Sequence, residues 1–306
     1  MSSPAPALVS IDWGTSSFRA RLAAADGRAL EAVESDTGAL ALTPGTHEAF
    51  LAECIGDWTR RFPGLPIVLS GMVGARQGWV EAPYVACPAG VAEIAAKTLT
   101  LDTTRLGRLL IVPGLSAIDA HGAPDVMRGE ETQILGALVA GKSDDGVFVL
   151  PGTHSKWARV EAGHIVAFAT FMTGEIFAAL KDHTVLGRMM APDAAHNAEG
   201  FARGLAAAQA LELPGDLLSA VFKTRTLALF DGLPADGLAD YLSGLLIGAE
   251  ILAGGRGARG ATIVGSAALT ARYRTAGAAL GLELTPAPET CATLGQIALL
   301  ERIGAL

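Results

Sequence analysis

The chain repeats one succession of elements at a displacement of 138 residues. Residues 7–11 form a short apolar run that meets the turn Asp12-Trp13-Gly14-Thr15-Ser16-Ser17, and residues 18–22 then alternate as a strand does. Asp26-Gly27 is a hairpin signal, and 28–34 reads as a third strand. The same order returns from Gly146: an apolar run over 147–150, the turn Pro151-Gly152-Thr153-His154-Ser155, a strand over 156–160, a turn at Ala162-Gly163 and a third strand over 164–171. The displacement places Gly14-Thr15 on Gly152-Thr153, Ser17 on Ser155 and Arg21 on Arg159. A helix is predicted after each set, over 46–60 and 173–183. Two units of three strands and a helix predict a duplicated α/β architecture.

The remaining segments fit such a frame. Residues 66–70 and 109–112 read as strands, the first ending at Gly71, and 130–140 as a helix that closes the first domain. The polar, Gly-bounded stretch GKSDDG (141–146) marks the boundary, giving domains 1–140 and 141–306. Helices are predicted over 197–212, 236–254, 267–281 and 293–303, and strands over 261–264 and 282–286. Of 306 residues, 50% are hydrophobic and 18% charged, enough apolar material for two cores, which excludes a disordered chain. The net charge is −8 and no Lys/Arg run exceeds two, which argues against broad electrostatic binding of nucleic acid. It does not argue against an anionic substrate, for which a few local cations suffice.

Cys54, Cys87 and Cys291 are odd in number and far apart, so neither a disulfide framework nor a CxxC metal pair is expected. The first residues lack the basic start of a signal peptide. The most apolar helix candidate, 241–255, is interrupted by Glu250 and is too short to span a bilayer. A soluble, cytoplasmic protein is the expectation.

The two repeated turns carry the chemistry. A phosphate needs backbone N–H groups that approach closely, hence Gly14 and Gly152, and hydroxyls that donate, hence Thr15, Ser16 and Thr153. Asp12, at the strand end before the first turn, is suited to a hydrated Mg²⁺. Its counterpart is Leu150, and the second turn instead carries His154 and Lys156. One metal-side and one cation-side loop suit a nucleoside triphosphate. Turn geometry satisfied by its own hydroxyls is the alternative reading. Gly265-Ser266, between a strand and a helix, leaves room for a ribose or a flat ring, or for tight packing alone. Glu130 opens a helix with Asp125 just upstream; either is a candidate general base, and either could simply serve the helix dipole. Gly71, Arg76 and Trp79 lie in a Gly-rich segment, and they and Arg128 are candidates for lining a pocket for a polar, anionic carbon skeleton.

The Gly-Thr turns and the late strand–Gly–helix step resemble the actin, sugar kinase and Hsp70 superfamily. IDWGTSSFRA, SGMVGARQGW, EAPYVACPAG, IVPGL, DVMRGEETQ, LPGTHSKW, FMTGE and LSGLLIGAE, in this order along nearly the whole chain, look like 2-dehydro-3-deoxygalactonokinases. LPGTHSKW and RGEETQ mark that family, whereas the first turn marks only the superfamily. The resemblance implies two ribonuclease H-like domains with mixed five-stranded sheets and an interdomain cleft. It also implies ATP and Mg²⁺ as cofactors and phosphorylation of 2-dehydro-3-deoxy-D-galactonate at its 6-hydroxyl. Asp12 would then be metal-side, with Gly14, Thr15 and Ser16 as the first phosphate loop and Gly152, Thr153, His154 and Lys156 as the second. Gly265 and Ser266 would face the nucleoside, and Glu130, or Asp125, would be the base. Arg76 or Arg128 would take the substrate carboxylate. Neither nucleic acid nor membrane is an expected partner, and a homodimer is compatible with the reading. Two alternatives stay open: a kinase of another 2-keto-3-deoxy sugar acid, and an exopolyphosphatase-like hydrolase. A sugar-binding regulator is disfavoured, because the first strand begins by about Ala7 and leaves no room for a preceding DNA-binding module.

Overall fold

The computed structural model describes residues 4–306; the first three residues of the segment read for a leader lie outside them. The strand β1 (Pro6–Trp13) is almost wholly buried, as a central strand covered on both faces must be. Its alternation divides the work. Val9, Ile11 and Trp13 join Leu51, Ile55 and Trp58 of the helix α1 (His47–Arg61) in one core. Ser10, on the opposite face, hydrogen-bonds Thr293 at 3.0 Å. Antiparallel to β1 runs β2 (Phe18–Ala24), followed by β3 (Ala29–Ser35). Parallel to it runs β4 (Ile67–Ser70).

Beyond β4 come β5 (Tyr84–Ala86), α2 (Val91–Ala95), β6 (Leu99–Asp102), β7 (Arg108–Ile111), β8 (Gly114–Ile118), β9 (Pro124–Met127) and α3 (Glu130–Gly141). The first sheet has the order β3-β2-β1-β4-β7-β6. It therefore has six strands where five were expected: β6 adds an antiparallel edge closed by a tight turn in which Thr103 N–H and Oγ1 both bond the Gly107 carbonyl. A separate sheet, β5-β8-β9, has no counterpart in the sequence reading, because its strands are short and its two outer ones largely exposed.

The second half contains β10 (Gly146–Leu150), β11 (Ser155–Glu161), β12 (His164–Phe171), α4 (Thr173–His183), α5 (Ala198–Gln209), α6 (Asp216–Leu229), α7 (Leu238–Gly254), β13 (Gly260–Ile263), α8 (Ala267–Leu280), β14 (Glu283–Pro286) and α9 (Cys291–Ile303). Its sheet runs β12-β11-β10-β13-β14, the order β3-β2-β1-β4-β7 of the first, with β13 parallel to both β10 and β14. Helices α5, α7 and α8 cover it through Phe201, Leu205, Ile247, Ile251, Tyr273 and Ala276.

The chain divides into two compact units, 1–146 with 158–168 and 287–306, and 147–157 with 169–286. The boundary near 146 lies at the polar stretch, but the last helix departs from a simple two-part division. In the first unit α9 packs on α3 so closely that a Cβ on Gly136 would overlap the Cys291 carbonyl, and one on Gly295 the Thr132 carbonyl. Gln296 donates to the Ile11 carbonyl at 2.9 Å and to Ser70 Oγ at 3.1 Å. Residues 158–168 join this unit through reciprocal backbone bonds between Ala89 and Ile165. No helix among the described residues is long and apolar enough to cross a membrane.

Candidate active site

In the first unit the end of β1 delivers Asp12 beside the turn 14–17, which is closed by Gly14 N–H donating to the Ser17 carbonyl at 2.9 Å. Thr15 and Ser16 are exposed at its tip. The turn is backed by Gly38, where a Cβ would overlap the Thr15 carbonyl, and by Ala39 N–H bonding the Gly14 carbonyl at 2.9 Å. The Asp12 side chain is 18% exposed, with Arg19 3.9 Å away, and it accepts a bond from Gln133 Nε2 at 3.4 Å. Burial pushes its carboxyl up, against the pull of Arg19, Arg21 and Gln133.

Two glycines bring the other candidates to this point. Gly71 ends β4 with φ +94°, and a Cβ there would meet the Trp13 carbonyl oxygen at 2.7 Å and Asp12 Oδ1 at 3.4 Å. Gly129 (φ +107°) lies against Gly71, its hypothetical Cβ 3.1 Å from the Gly71 Cα. Only residues without a Cβ tolerate this backbone contact at positive φ. Glu130, the first residue of α3, therefore sits next to the Asp12 turn, and its carboxylate accepts Arg128 N–H at 2.9 Å. Asp125 lies upstream on β9, accepting Val126 N–H at 2.7 Å.

Arg128 is 7% exposed. Its Nη2 donates to the Ala82 carbonyl at 2.8 Å, its guanidinium lies 4.3 Å from the centre of the Tyr84 ring, and its Nε and Nη1 have no hydrogen-bond partner among the described residues. Arg76, by contrast, is exposed. Trp79 is stacked at 6.0 Å on the buried His47 and packs against the core, which gives it a structural task.

In the second unit the turn 151–154 repeats the exposure of the first: Gly152 half-buried, Thr153 and His154 at the tip. The start of α4 grips it. A Cβ on Gly174 would overlap the Gly152 carbonyl, Glu175 N–H donates to the Thr153 carbonyl at 3.0 Å, and the Glu175 carboxylate meets His154 Nε2 at 2.5 Å. Lys156 is 6% exposed, with Nζ 2.7 Å from Thr170 Oγ1. Gly265 adjoins the same turn, its hypothetical Cβ 3.5 Å from the Pro151 ring, and Ser266 caps α8 by accepting Leu269 N–H at 3.4 Å.

Glu131, Gln133, Gly174 and Glu175 also bear on these turns, beyond the residues predicted from the sequence. Glu131 is fully buried; it accepts Gly129 N–H at 2.7 Å and the Thr132 hydroxyl at 2.8 Å. Burial first, and the neighbouring Glu130 second, push its carboxyl up to about 8. All four stood inside the motifs RGEETQ and FMTGE, yet nothing in their spacing distinguished them from ordinary helix positions.

Comparison with known proteins decides the family. The model of the family described as 2-keto-3-deoxy-galactonokinase matches residues 12–299. The chain belongs to the 2-keto-3-deoxy-galactonokinase family. Among members of this kinase family, the Escherichia coli K12 protein named 2-dehydro-3-deoxygalactonokinase is 36% identical over 283 residues, 90% of this chain and 91% of that one. A Rhizobium meliloti relative, named "Probable 2-dehydro-3-deoxygalactonokinase DgoK1", is 40% identical over 287 residues, 90% of each chain. A solved Sinorhizobium meliloti structure superposes with a TM-score of 0.86 at 34% identity, covering 98% of this chain and all of the other. An activator of a 2-hydroxyisocaproyl-CoA dehydratase from Clostridium difficile, solved with bound ADPNP, shares the fold alone, at a TM-score of 0.52 and 10% identity over 97% of this chain and 95% of that one. The architecture of this 2-keto-3-deoxy-galactonokinase family member is the actin-like ATPase and sugar-kinase fold.

Proposed function

We propose that this chain transfers the γ-phosphoryl group of ATP to the 6-hydroxyl of 2-dehydro-3-deoxy-D-galactonate. The observation that carries the reading is the family match along residues 12–299. Phosphoryl transfer asks a protein mainly for positioning and charge stabilisation. Each turn offers a Gly with exposed donors beside it: Thr15 and Ser16 in one unit, Thr153 and His154 in the other.

The donor set at Asp12 suits Mg²⁺. Among the described residues there is no cluster of three or more His, Cys, Asp or Glu, so a cation there would be held by Asp12, water and phosphate oxygens, as Mg²⁺ ordinarily is. When bound, Mg²⁺ supplies neutralisation of the β- and γ-phosphate charge. Asp12 supplies the carboxylate, and Gln133 and Arg19 fix its orientation.

Glu130 is the base in this reading. The Gly71–Gly129 contact holds it near the Asp12 turn, where an acceptor hydroxyl has to meet the phosphoryl group. It orients that hydroxyl and takes its proton as the bond to phosphorus forms. Arg128 is the better anchor for the substrate carboxylate. Two buried, unpaired donors are costly, and a carboxylate oxygen is a charge-assisted acceptor for either of them.

The test is ADP release by the purified protein with Mg·ATP in three parallel reactions: 2-dehydro-3-deoxy-D-galactonate, its gluconate epimer, and water alone. Turnover that depends on the galacto acid is the expected result. Turnover on the gluco epimer alone would change the substrate, and ADP and phosphate release without any sugar acid would overturn the kinase reading.

A further inference from the structure

Glu250 is the charge that interrupts the most apolar helix of the chain. In α7 it is 2% exposed, and it makes no ion pair among the described residues. Neutral donors surround it instead. Trp157 Nε1 donates to Oε1 at 2.9 Å and the Tyr273 hydroxyl to Oε2 at 2.7 Å. The Thr173 hydroxyl adds to these; burial raises the Glu250 carboxyl, and the hydrogen-bonding groups around it pull it back down. The ring of Trp157 cannot retreat, because the backbone of Gly254 lies against it.

These partners surround the turn 151–154. Ser155 and Trp157 begin β11 immediately after it, Thr173 is the first residue of α4, and Tyr273 comes from α8. The bonds also have a direction. The single proton of Tyr273 is engaged on the carboxylate, so its oxygen is the acceptor for the Ser155 hydroxyl 3.2 Å away. The Ser155 oxygen in turn accepts Gly152 N–H at 3.4 Å. A carboxylate at the far end aligns every proton of this chain toward itself, and aligned bonds strengthen one another. An apolar residue at 250 would pack in α7 at lower cost but would leave Trp157 and Tyr273 without an acceptor.

We propose that Glu250 is a positioning residue for the second phosphate turn: through Tyr273 and Ser155 it holds Gly152, and through Thr173 it holds the start of α4. The proposal rests on the reading of 151–154 as an ATP-phosphate turn. Glu250 touches no substrate. Its influence reaches the nucleotide through the backbone of the turn.

Glu250→Gln keeps the size and removes the charge; Tyr273→Phe keeps the ring and breaks the chain of hydroxyls. Each is expected to raise KM for ATP by about tenfold, the weight of one charge-assisted hydrogen bond, and to leave KM for the sugar acid within about twofold. Amide exchange of the substrate-free protein is expected to quicken over 151–156 and to stay unchanged over 12–17. Equal losses for both substrates, or faster exchange throughout the protein, would reduce Glu250 to a packing residue and overturn the proposal, as would two variants with wild-type KM and exchange. If Glu250→Gln does not fold, Tyr273→Phe decides alone. Wild-type titration with a fluorescent ATP analogue separates the two claims: absence of binding refutes the kinase reading, whereas the exchange data still report whether Glu250 holds the turn.

Discussion

Gly71 and Trp13 approach so closely that a Cβ on the glycine would stand 2.7 Å from the tryptophan carbonyl oxygen. Gly71→Ala has to push the Asp12 turn aside and also hold alanine at φ +94°. A loss of about 2–4 kcal/mol in urea unfolding is expected from overpacking and backbone strain together, with a parallel fall in kcat/KM. Gly64, also at positive φ but with open space around it, is the control. Gly64→Ala should cost only about 1 kcal/mol and leave kinetics unchanged.

Glu130→Gln should lower kcat by roughly 10²- to 10⁴-fold, the usual weight of a general base, while KM for ATP stays near the wild-type value. Asp125→Asn should change kcat by less than about threefold, because Asp125 lies upstream on β9 and bonds its own following amide. The reverse pattern in steady-state kinetics would exchange the two roles.

Arg128→Ala should raise KM for the sugar acid by roughly tenfold or more and leave KM for ATP in place. Lysine should not rescue it, since an ammonium cannot reproduce the planar stacking on Tyr84 and the fixed donors of a guanidinium. Arg76→Ala, at an exposed position, should be nearly silent. Initial rates with each substrate varied in turn check all three variants.

The buried Glu131 makes stability depend on pH. Its carboxyl titrates near 8 in the folded chain, against an ordinary value of 4.5. The folded state therefore binds the proton more tightly, so this contribution is fully present below about 4.5, declines as pH rises and is lost above about 8. Glu131→Gln removes that decline. In calorimetry, the Tm difference between variant and wild type should grow in the variant's favour from pH 5 to pH 8; a constant difference would show that Glu131 does not titrate in this window.

The legibility of this chain follows from where its constraints are local. Asp12 and Gly14 stand where an apolar run meets a turn, and the same junction at 150–153 makes the second set readable from the first. Glu131 and Gln133 sit inside a helix, where a carboxylate or an amide reads as an ordinary early-turn residue. Their roles come from Gly129 and Asp12, partners fixed only by the folded backbone. The edge strand β6 was missed because its residues are only half buried and show no strong period. The placement of α9 could not be read because its partners, α3 and β1, lie more than a hundred residues away, and a glycine in a helix carries no mark of the backbone it touches.

That return of α9 has a consequence for biosynthesis. The ribosome makes β1 long before α9, which follows only after all of 147–286. Until then Ser10 and Ile11 lack Thr293 and Gln296, and Gly136 faces no helix. The second unit has every strand of its own core once residue 286 has emerged, whereas the first still lacks the helix that bonds β1 and packs on α3. The unit whose first strand is made earliest is also the unit whose last helix is made latest.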